Sequence, residues 1–74
     1  MEKFNKIAST IFKFPEENIT DNLSSVDIPE WDSMNYLFFI AELEKEFNVS
    51  FNMNEVMDAT CIGDIRKIVE ARKK

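Results

Sequence analysis

The chain has 74 residues, of which 45% are hydrophobic, and its fourteen acidic and nine basic side chains give a net charge of −5 at pH 7. This length predicts a single domain over residues 1–74. One cysteine excludes an intrachain disulfide, and the lack of any histidine argues against a zinc or other metal site. The acidic balance argues against nucleic acid, because phosphate binding needs clustered Lys and Arg. It favours partners that present basic surfaces.

Helical spacing of apolar residues begins at the N-terminus. The spacing predicts a first helix from about Glu2 to Phe14, which Pro15 ends. Residues 15–31 show no long period and are rich in Asn, Asp, Ser and Pro, so we expect a long ordered loop. Trp31 is expected to anchor the end of this loop against the second helix.

The second predicted helix runs to Phe47, with Asp32 or Ser33 as its cap and Asn48 at its end. Its two adjacent phenylalanines point about 100° apart. We therefore expect Phe39 inside, with Leu43 and Phe47, and Phe38 at least partly outside.

A short third helix is predicted from a cap at Asn54 through Met57, with Met53 and Met57 lining the core. Thr60 is the predicted N-cap of a last helix that has Asp64 in its first turn. The fold is thus predicted to be all-α: a small four-helix bundle of three main helices and one short helix, with a long loop between helices one and two.

The sequence offers little for catalysis, and we expect no enzyme. It has no histidine, no Gly-rich phosphate loop and no Ser/His/Asp set. Cys61 is either a reactive thiol at a helix start or a small apolar residue packed there, and we favour the second interpretation. No apolar run reaches membrane-spanning length and the N-terminus lacks a signal-peptide pattern, so we expect a cytoplasmic protein without membrane insertion.

The tripeptide Asp32-Ser33-Met34 opens the second helix. Ser33 is either part of a plain helix cap or an exposed hydroxyl that another enzyme modifies. The surrounding pattern consists of Trp31-Asp32-Ser33-Met34, Leu37, Ile40, Leu43-Glu44, Phe47, Val49, Phe51, Thr60, Ile62 and Asp64. It resembles that of the acyl carrier protein family and needs no insertion or deletion from Asp32 onward. Residues 29–33 look like those of stand-alone carriers of specialised pathways rather than the housekeeping fatty-acid carrier.

The resemblance implies that Ser33 Oγ receives 4'-phosphopantetheine from coenzyme A through a separate phosphopantetheinyl transferase. The thiol of this arm would hold acyl or aminoacyl cargo as a thioester. A monomeric carrier would then shuttle the cargo from a loading enzyme to a downstream transferase or synthase, in fatty-acid or specialised biosynthesis. The alternatives are a carrier-like interaction subunit that is never modified and an unrelated helical adaptor.

Asn35 and Phe38 depart from the family pattern, in which these positions are often acidic. The resemblance implies that Asp32 is read by the transferase and that Met34 contacts partners. We expect Asp32, Met34, Asn35, Leu37 and Phe38 to recognise partners, with an apolar patch that selects dedicated ones. The bulky side chains at 39, 47 and 51 leave limited room in the bundle, which favours short or polar cargo.

Overall fold

The computed structural model describes residues 2–72 and confirms an all-α bundle. Its helices are α1 (Glu2–Phe12), α2 (Ser33–Phe47), α3 (Met53–Asp58) and α4 (Ile62–Arg72), with a 3₁₀ turn at Glu16–Asn18 in the loop between α1 and α2. Within residues 2–72, no helix is both long and apolar enough to cross a membrane.

Two helix ends show where the chain leaves helical geometry. α1 ends at Phe12, two residues before the predicted end, because Lys13 adopts the left-handed conformation (φ 53°) and Phe14 N–H bonds to the Ser9 carbonyl at 3.2 Å. α2 ends as predicted at Asn48, which is also left-handed and donates its N–H to the Glu44 carbonyl. Asparagine tolerates this conformation better than most residues.

One hydrophobic core joins α1, α2, α4, the loop and the inner side of α3. Its largest fully buried side chains are Phe4, Phe12, Ile28, Phe39, Leu43, Ile62, Ile65 and Val69. Phe39 lies at the centre, with ring centroids 5.4 Å from Phe4 and 5.1 Å from Phe12. The predicted orientation of α2 is confirmed: Phe39 is fully buried, whereas Phe38 is 56% exposed.

The long loop is held against the start of α4. Ile62 N–H donates to the Leu23 carbonyl at 2.9 Å, and Gly63 N–H donates to the Asp21 carbonyl at 2.8 Å. These bonds satisfy N–H groups that have no partner inside the helix. A Cβ atom on Gly63 would lie 2.9 Å from both the Cβ and the carbonyl oxygen of Asp21, so the close approach requires glycine. The loop is therefore an integral part of the packing.

The predicted caps of the last two helices are wrong. α3 is capped by Asn52, whose side chain accepts from Glu55 N–H at 2.8 Å, while Glu55 accepts from Asn52 N–H at 3.1 Å. Asn54 lies inside the helix. Thr60 precedes α4 by two residues and donates to Asp64 through its N–H and its hydroxyl. Loop carbonyls take up the first N–H groups of α4 instead.

Candidate functional site

The start of α2 is shaped by Asp32, which is its N-cap. The Asp32 carboxylate accepts from Asn35 N–H at 2.8 Å, and its carbonyl accepts from Tyr36 N–H at 2.9 Å. Of the two predicted capping residues, Asp32 therefore does the capping. Ser33 becomes the first helical residue, and its side chain is exposed to solvent.

Asn35 ties the end of the loop to the helix. Its side-chain N–H donates to the Glu30 carbonyl at 2.8 Å, and the same carbonyl accepts from Asp32 N–H at 3.0 Å. Asn35 is partly buried. An aspartate at this position would have no donor for Glu30, so the departure from the family pattern has a local structural consequence.

Trp31 fixes the same end of the loop from the inside. Its ring stacks on Phe12 of α1 at 5.2 Å between centroids and packs on Tyr36 of α2 at 5.5 Å. Trp31 thus anchors the loop against two helices, where the sequence predicted only the second. The backbone from Glu30 to Ser33 is consequently held between a packed indole and the helix cap.

Exposed apolar side chains surround Ser33. Met34, Leu37 and Phe38 on α2 are 67%, 55% and 56% exposed, and Met53 and Met57 on α3 are 68% and 74% exposed. We call these five residues the apolar surface. The expectation that the two α3 methionines line the core is wrong, since a six-residue helix buries only Val56. Residues 33–41 of α2 include no charged side chain, and the charges of this helix lie in residues 42–46.

A groove of about 310 Å³ separates α2 from α3 beside Ser33. It is lined by Ser33, Tyr36, Leu37, Met53, Val56, Met57 and Ala59. Its rim is formed by the exposed members of this lining, Ser33, Leu37, Met53 and Met57. Its floor is formed by the more buried Tyr36, Val56 and Ala59. The Tyr36 hydroxyl donates to the Val56 carbonyl at 2.7 Å, which joins the two helices across this floor.

Three groove residues, Tyr36, Val56 and Ala59, are ones that the sequence patterns did not indicate. Tyr36 lies three residues after Ser33, so helical spacing places both on one face. Burial raises the pKa of the Tyr36 hydroxyl, and the negative charge of Asp64 adds to this shift. The phenol therefore stays protonated and remains a donor at neutral pH.

Other candidate groups contribute less to the site. Among residues 2–72, no three or more His, Cys, Asp or Glu side chains come together to hold a metal ion. Cys61 is a partly buried free thiol just before α4. Its neighbour Thr60 donates backbone and side-chain hydrogen bonds that lower the pKa of Asp64, so this corner is organised around the start of α4.

Comparison with known proteins connects this geometry to a family. Residues 2–69 match the sequence profile of the family described as "Phosphopantetheine attachment site". The chain belongs to this family. Among solved structures, it is similar to a Mycobacterium tuberculosis protein assigned as an acyl carrier protein, with 27% identity, a TM-score of 0.83, and coverage of 95% of this chain and 93% of that one.

A second structural relative supports the fold alone. The holo acyl carrier protein from Geobacter metallireducens is 24% identical, with a TM-score of 0.85 over 95% of this chain and 80% of that one. A search of the curated proteins gives no match.

Family membership establishes a phosphopantetheine-carrying acyl carrier protein, with the arm attached covalently. The start of α2 fits such a group. A phosphodiester there would lie at the N-terminus of a 15-residue helix whose first turn includes no acidic residue. The helix dipole and the first N–H groups favour an anion at this place.

Proposed function

We propose that Ser33 Oγ is the attachment point of 4'-phosphopantetheine, and that residues 1–74 act as one non-catalytic carrier domain. The observation that supports this proposal most directly is the exposed Ser33 side chain, first in α2 and next to the Asp32 cap, inside the span that matches the family. When bound, the group supplies a thiol that holds cargo as a thioester.

The attachment needs little chemistry from the chain itself. Ser33 Oγ forms a new O–P bond while the pyrophosphate bond of coenzyme A breaks, with adenosine 3',5'-bisphosphate as the leaving group. The chain has no histidine to act as a base. The Asp32 carboxylate is already engaged with Asn35 N–H, so the hydroxyl proton is proposed to leave to the transferase. Asp32 keeps Ser33 at the first position of the helix, because its carboxylate is engaged with Asn35 N–H.

The proposed partners are a phosphopantetheinyl transferase, a loading enzyme and a downstream transferase or synthase, which a monomeric carrier meets in the cytoplasm. Asp32, Met34, Leu37 and Phe38 are exposed next to Ser33 and are proposed to contact them. The side-chain amide of Asn35 is engaged with the loop. We therefore propose that Asn35 contributes to recognition by fixing the backbone next to Ser33.

Intact mass spectrometry tests the attachment site. After incubation with coenzyme A and a promiscuous phosphopantetheinyl transferase, we expect the chain to gain the mass of one phosphopantetheinyl group. Ser33→Ala should gain none. Ser25→Ala, which removes another exposed serine from the loop, should be modified like the wild type. A wild-type chain that gains no mass would favour the unmodified interaction subunit, and a gain in Ser33→Ala would place the arm elsewhere.

A further inference from the structure

The Tyr36 side chain connects α2 to α3. Its hydroxyl donates to the Val56 carbonyl at 2.7 Å across the floor of the groove. The Glu55 carbonyl in the same helix accepts from Ala59 N–H. Thr60 N–H, which continued helical geometry would pair with Val56, is bound to Asp64 instead. Tyr36 therefore satisfies a carbonyl that the end of α3 leaves without its helical donor.

The connection matters because α3 is short. A helix of six residues gains too little from its own hydrogen bonds to persist alone. It has one buried side chain, Val56, so its position depends on bonds to neighbouring elements. The Tyr36 bond attaches to that same residue and keeps α3 close to α2.

Tyr36 is itself held firmly. Its ring packs on Trp31, which stacks on Phe12, and Phe12 packs on the central Phe39. This row of aromatic rings runs from the groove into the core. The phenol is therefore positioned by the fold and does not have to be ordered when the groove is occupied.

We propose that Tyr36 determines cargo specificity: it latches α3 onto α2 and limits what the groove beside Ser33 accepts to short, apolar acyl groups. This inference rests on the proposed attachment at Ser33. Because Ser33 lines the rim of the groove, cargo on its flexible arm is tethered beside it. Longer cargo enters the space between the helices only when the bond between Tyr36 and Val56 breaks.

The size and chemistry of the groove define the cargo class. At the ~30 Å³ that a water molecule occupies in the liquid, about 310 Å³ accommodates about ten non-hydrogen atoms. With part taken by the thioester end, we expect an acyl chain of about four to six carbons to fill the groove. An aminoacyl group fits poorly, because its ammonium would lose water against the methionine, leucine and valine side chains of the lining.

The test uses the chain loaded with acyl arms of increasing length. A promiscuous transferase transfers acyl-phosphopantetheine from acyl-coenzymes A whose acyl groups span two to ten carbons. The rate at which hydroxylamine cleaves the thioester reports shielding of the cargo, and the amide NMR shifts of α3 report its occupancy. In the wild type, we expect cleavage to slow up to about six carbons and then to level off.

Tyr36→Phe keeps the ring and removes only the hydroxyl. We expect its eight- and ten-carbon thioesters to be cleaved about fivefold more slowly than those of the wild type, the equilibrium factor of one ordinary hydrogen bond. The α3 amide shifts should then continue to change with these longer chains. Ser9→Ala is the matched control, since it removes a part-buried hydroxyl-to-carbonyl bond, to Phe14, outside the groove. It should show the wild-type dependence on chain length.

Several results would overturn the inference. One is that Tyr36→Phe and the wild type show the same dependence of thioester cleavage on chain length. Another is that Ser9→Ala slows cleavage of the long-chain thioesters as much as Tyr36→Phe does. A third is that shielding of the thioester in the wild type still rises at ten carbons. The last result decides the matter even where Tyr36→Phe fails to fold. Absence of any mass gain at Ser33 would contradict the proposed function instead, so the two failures are distinguishable.

Discussion

Asn35 joins the loop to α2 through two hydrogen bonds of its own. Its backbone N–H is bound by the Asp32 carboxylate, and its side-chain N–H is bound by the Glu30 carbonyl, each at 2.8 Å. These bonds fix the backbone on both sides of Ser33. A transferase that must place Ser33 Oγ in line with a phosphorus atom gains from a fixed backbone, because correct geometry lowers the barrier.

Asn35→Asp therefore tests a positioning role with almost no change in shape. The carboxylate has no proton to donate to the Glu30 carbonyl, and it adds negative charge next to Asp32. We expect the free energy of unfolding to fall by about 1–2 kcal/mol and the kcat/KM of phosphopantetheinylation to fall by about tenfold. Urea denaturation and initial modification rates measure the two effects.

Asn54→Asp is the matched control for this exchange. Asn54 is exposed in the first turn of α3, where a negative charge is tolerated or mildly stabilising. It should leave both measurements close to the wild type. Equal behaviour of the two variants would show that the bond from Asn35 to Glu30 has no part in presenting Ser33.

At the scale of elements, α3 depends on polar bonds to its neighbours. Glu55 closes the capping box with Asn52 and forms an ion pair with Arg72 of α4, which also bonds to the Ser50 carbonyl. The hydrogen bond from Arg72 is the main cause that lowers the pKa of Glu55, and the N–H of Asn52 adds to it. One carboxylate thus holds α3 to α4, while the Tyr36 bond holds α3 to α2.

The lowered pKa of Glu55 makes this attachment depend on pH. A carboxyl group whose pKa is lower in the folded state stabilises the fold above its unfolded pKa, near 4.3. This contribution is lost as the pH falls through the folded pKa. We expect Glu55→Gln to have a lower free energy of unfolding than the wild type at pH 7. We also expect it to lose less of that free energy as the pH falls from about 5 to 3. Urea denaturation across that range measures both effects.

A residual decline is expected in Glu55→Gln, because hydrogen bonds from Thr60 also lower the pKa of Asp64. Glu70→Gln, an exposed change on α4, serves as the control and should follow the wild-type curve. If the two glutamine variants show the same pH dependence, the bond between Glu55 and Arg72 does not stabilise the fold.

At the scale of the whole molecule, local patterns in the sequence predicted α2 and the orientation of Phe38 and Phe39. The Asn52-x-x-Glu55 spacing also indicates a capping box, but Asn54 is a competing capping residue, and the prediction that it caps α3 is wrong. Local sequence does not indicate how the first N–H groups of α4 are satisfied, because their acceptors, the carbonyls of Asp21 and Leu23, lie some forty residues away in the sequence. The same holds for the Tyr36 bond to Val56, which depends on where a short helix packs.

The first part of α2, where partners are proposed to bind, lacks the acidic side chains found elsewhere in the chain. The chain carries a net charge of −5, yet residues 33–41, which begin at the proposed attachment site, include no charged side chain. The proposed partner contacts there would bury apolar side chains such as Phe38, which is 56% exposed. Association through such contacts depends little on moderate ionic strength, whereas attraction between surface charges is weakened by salt screening. We therefore expect transfer from the proposed loading enzyme to vary little with ionic strength.

Phe38→Glu places an acidic side chain on the apolar surface. Because Phe38 lies outside the core, we expect the melting temperature to stay within a few degrees of the wild type. Transfer from the loading enzyme should fall by about tenfold or more, the loss typical of an interface residue whose truncation costs over 1 kcal/mol. Val26→Glu makes the same apolar-to-acid change at a loop residue that is 90% exposed, and it should transfer normally. Unfolding of Phe38→Glu would show that Phe38 belongs to the core. An equal loss of transfer in both variants would leave net charge as the explanation instead of the apolar surface.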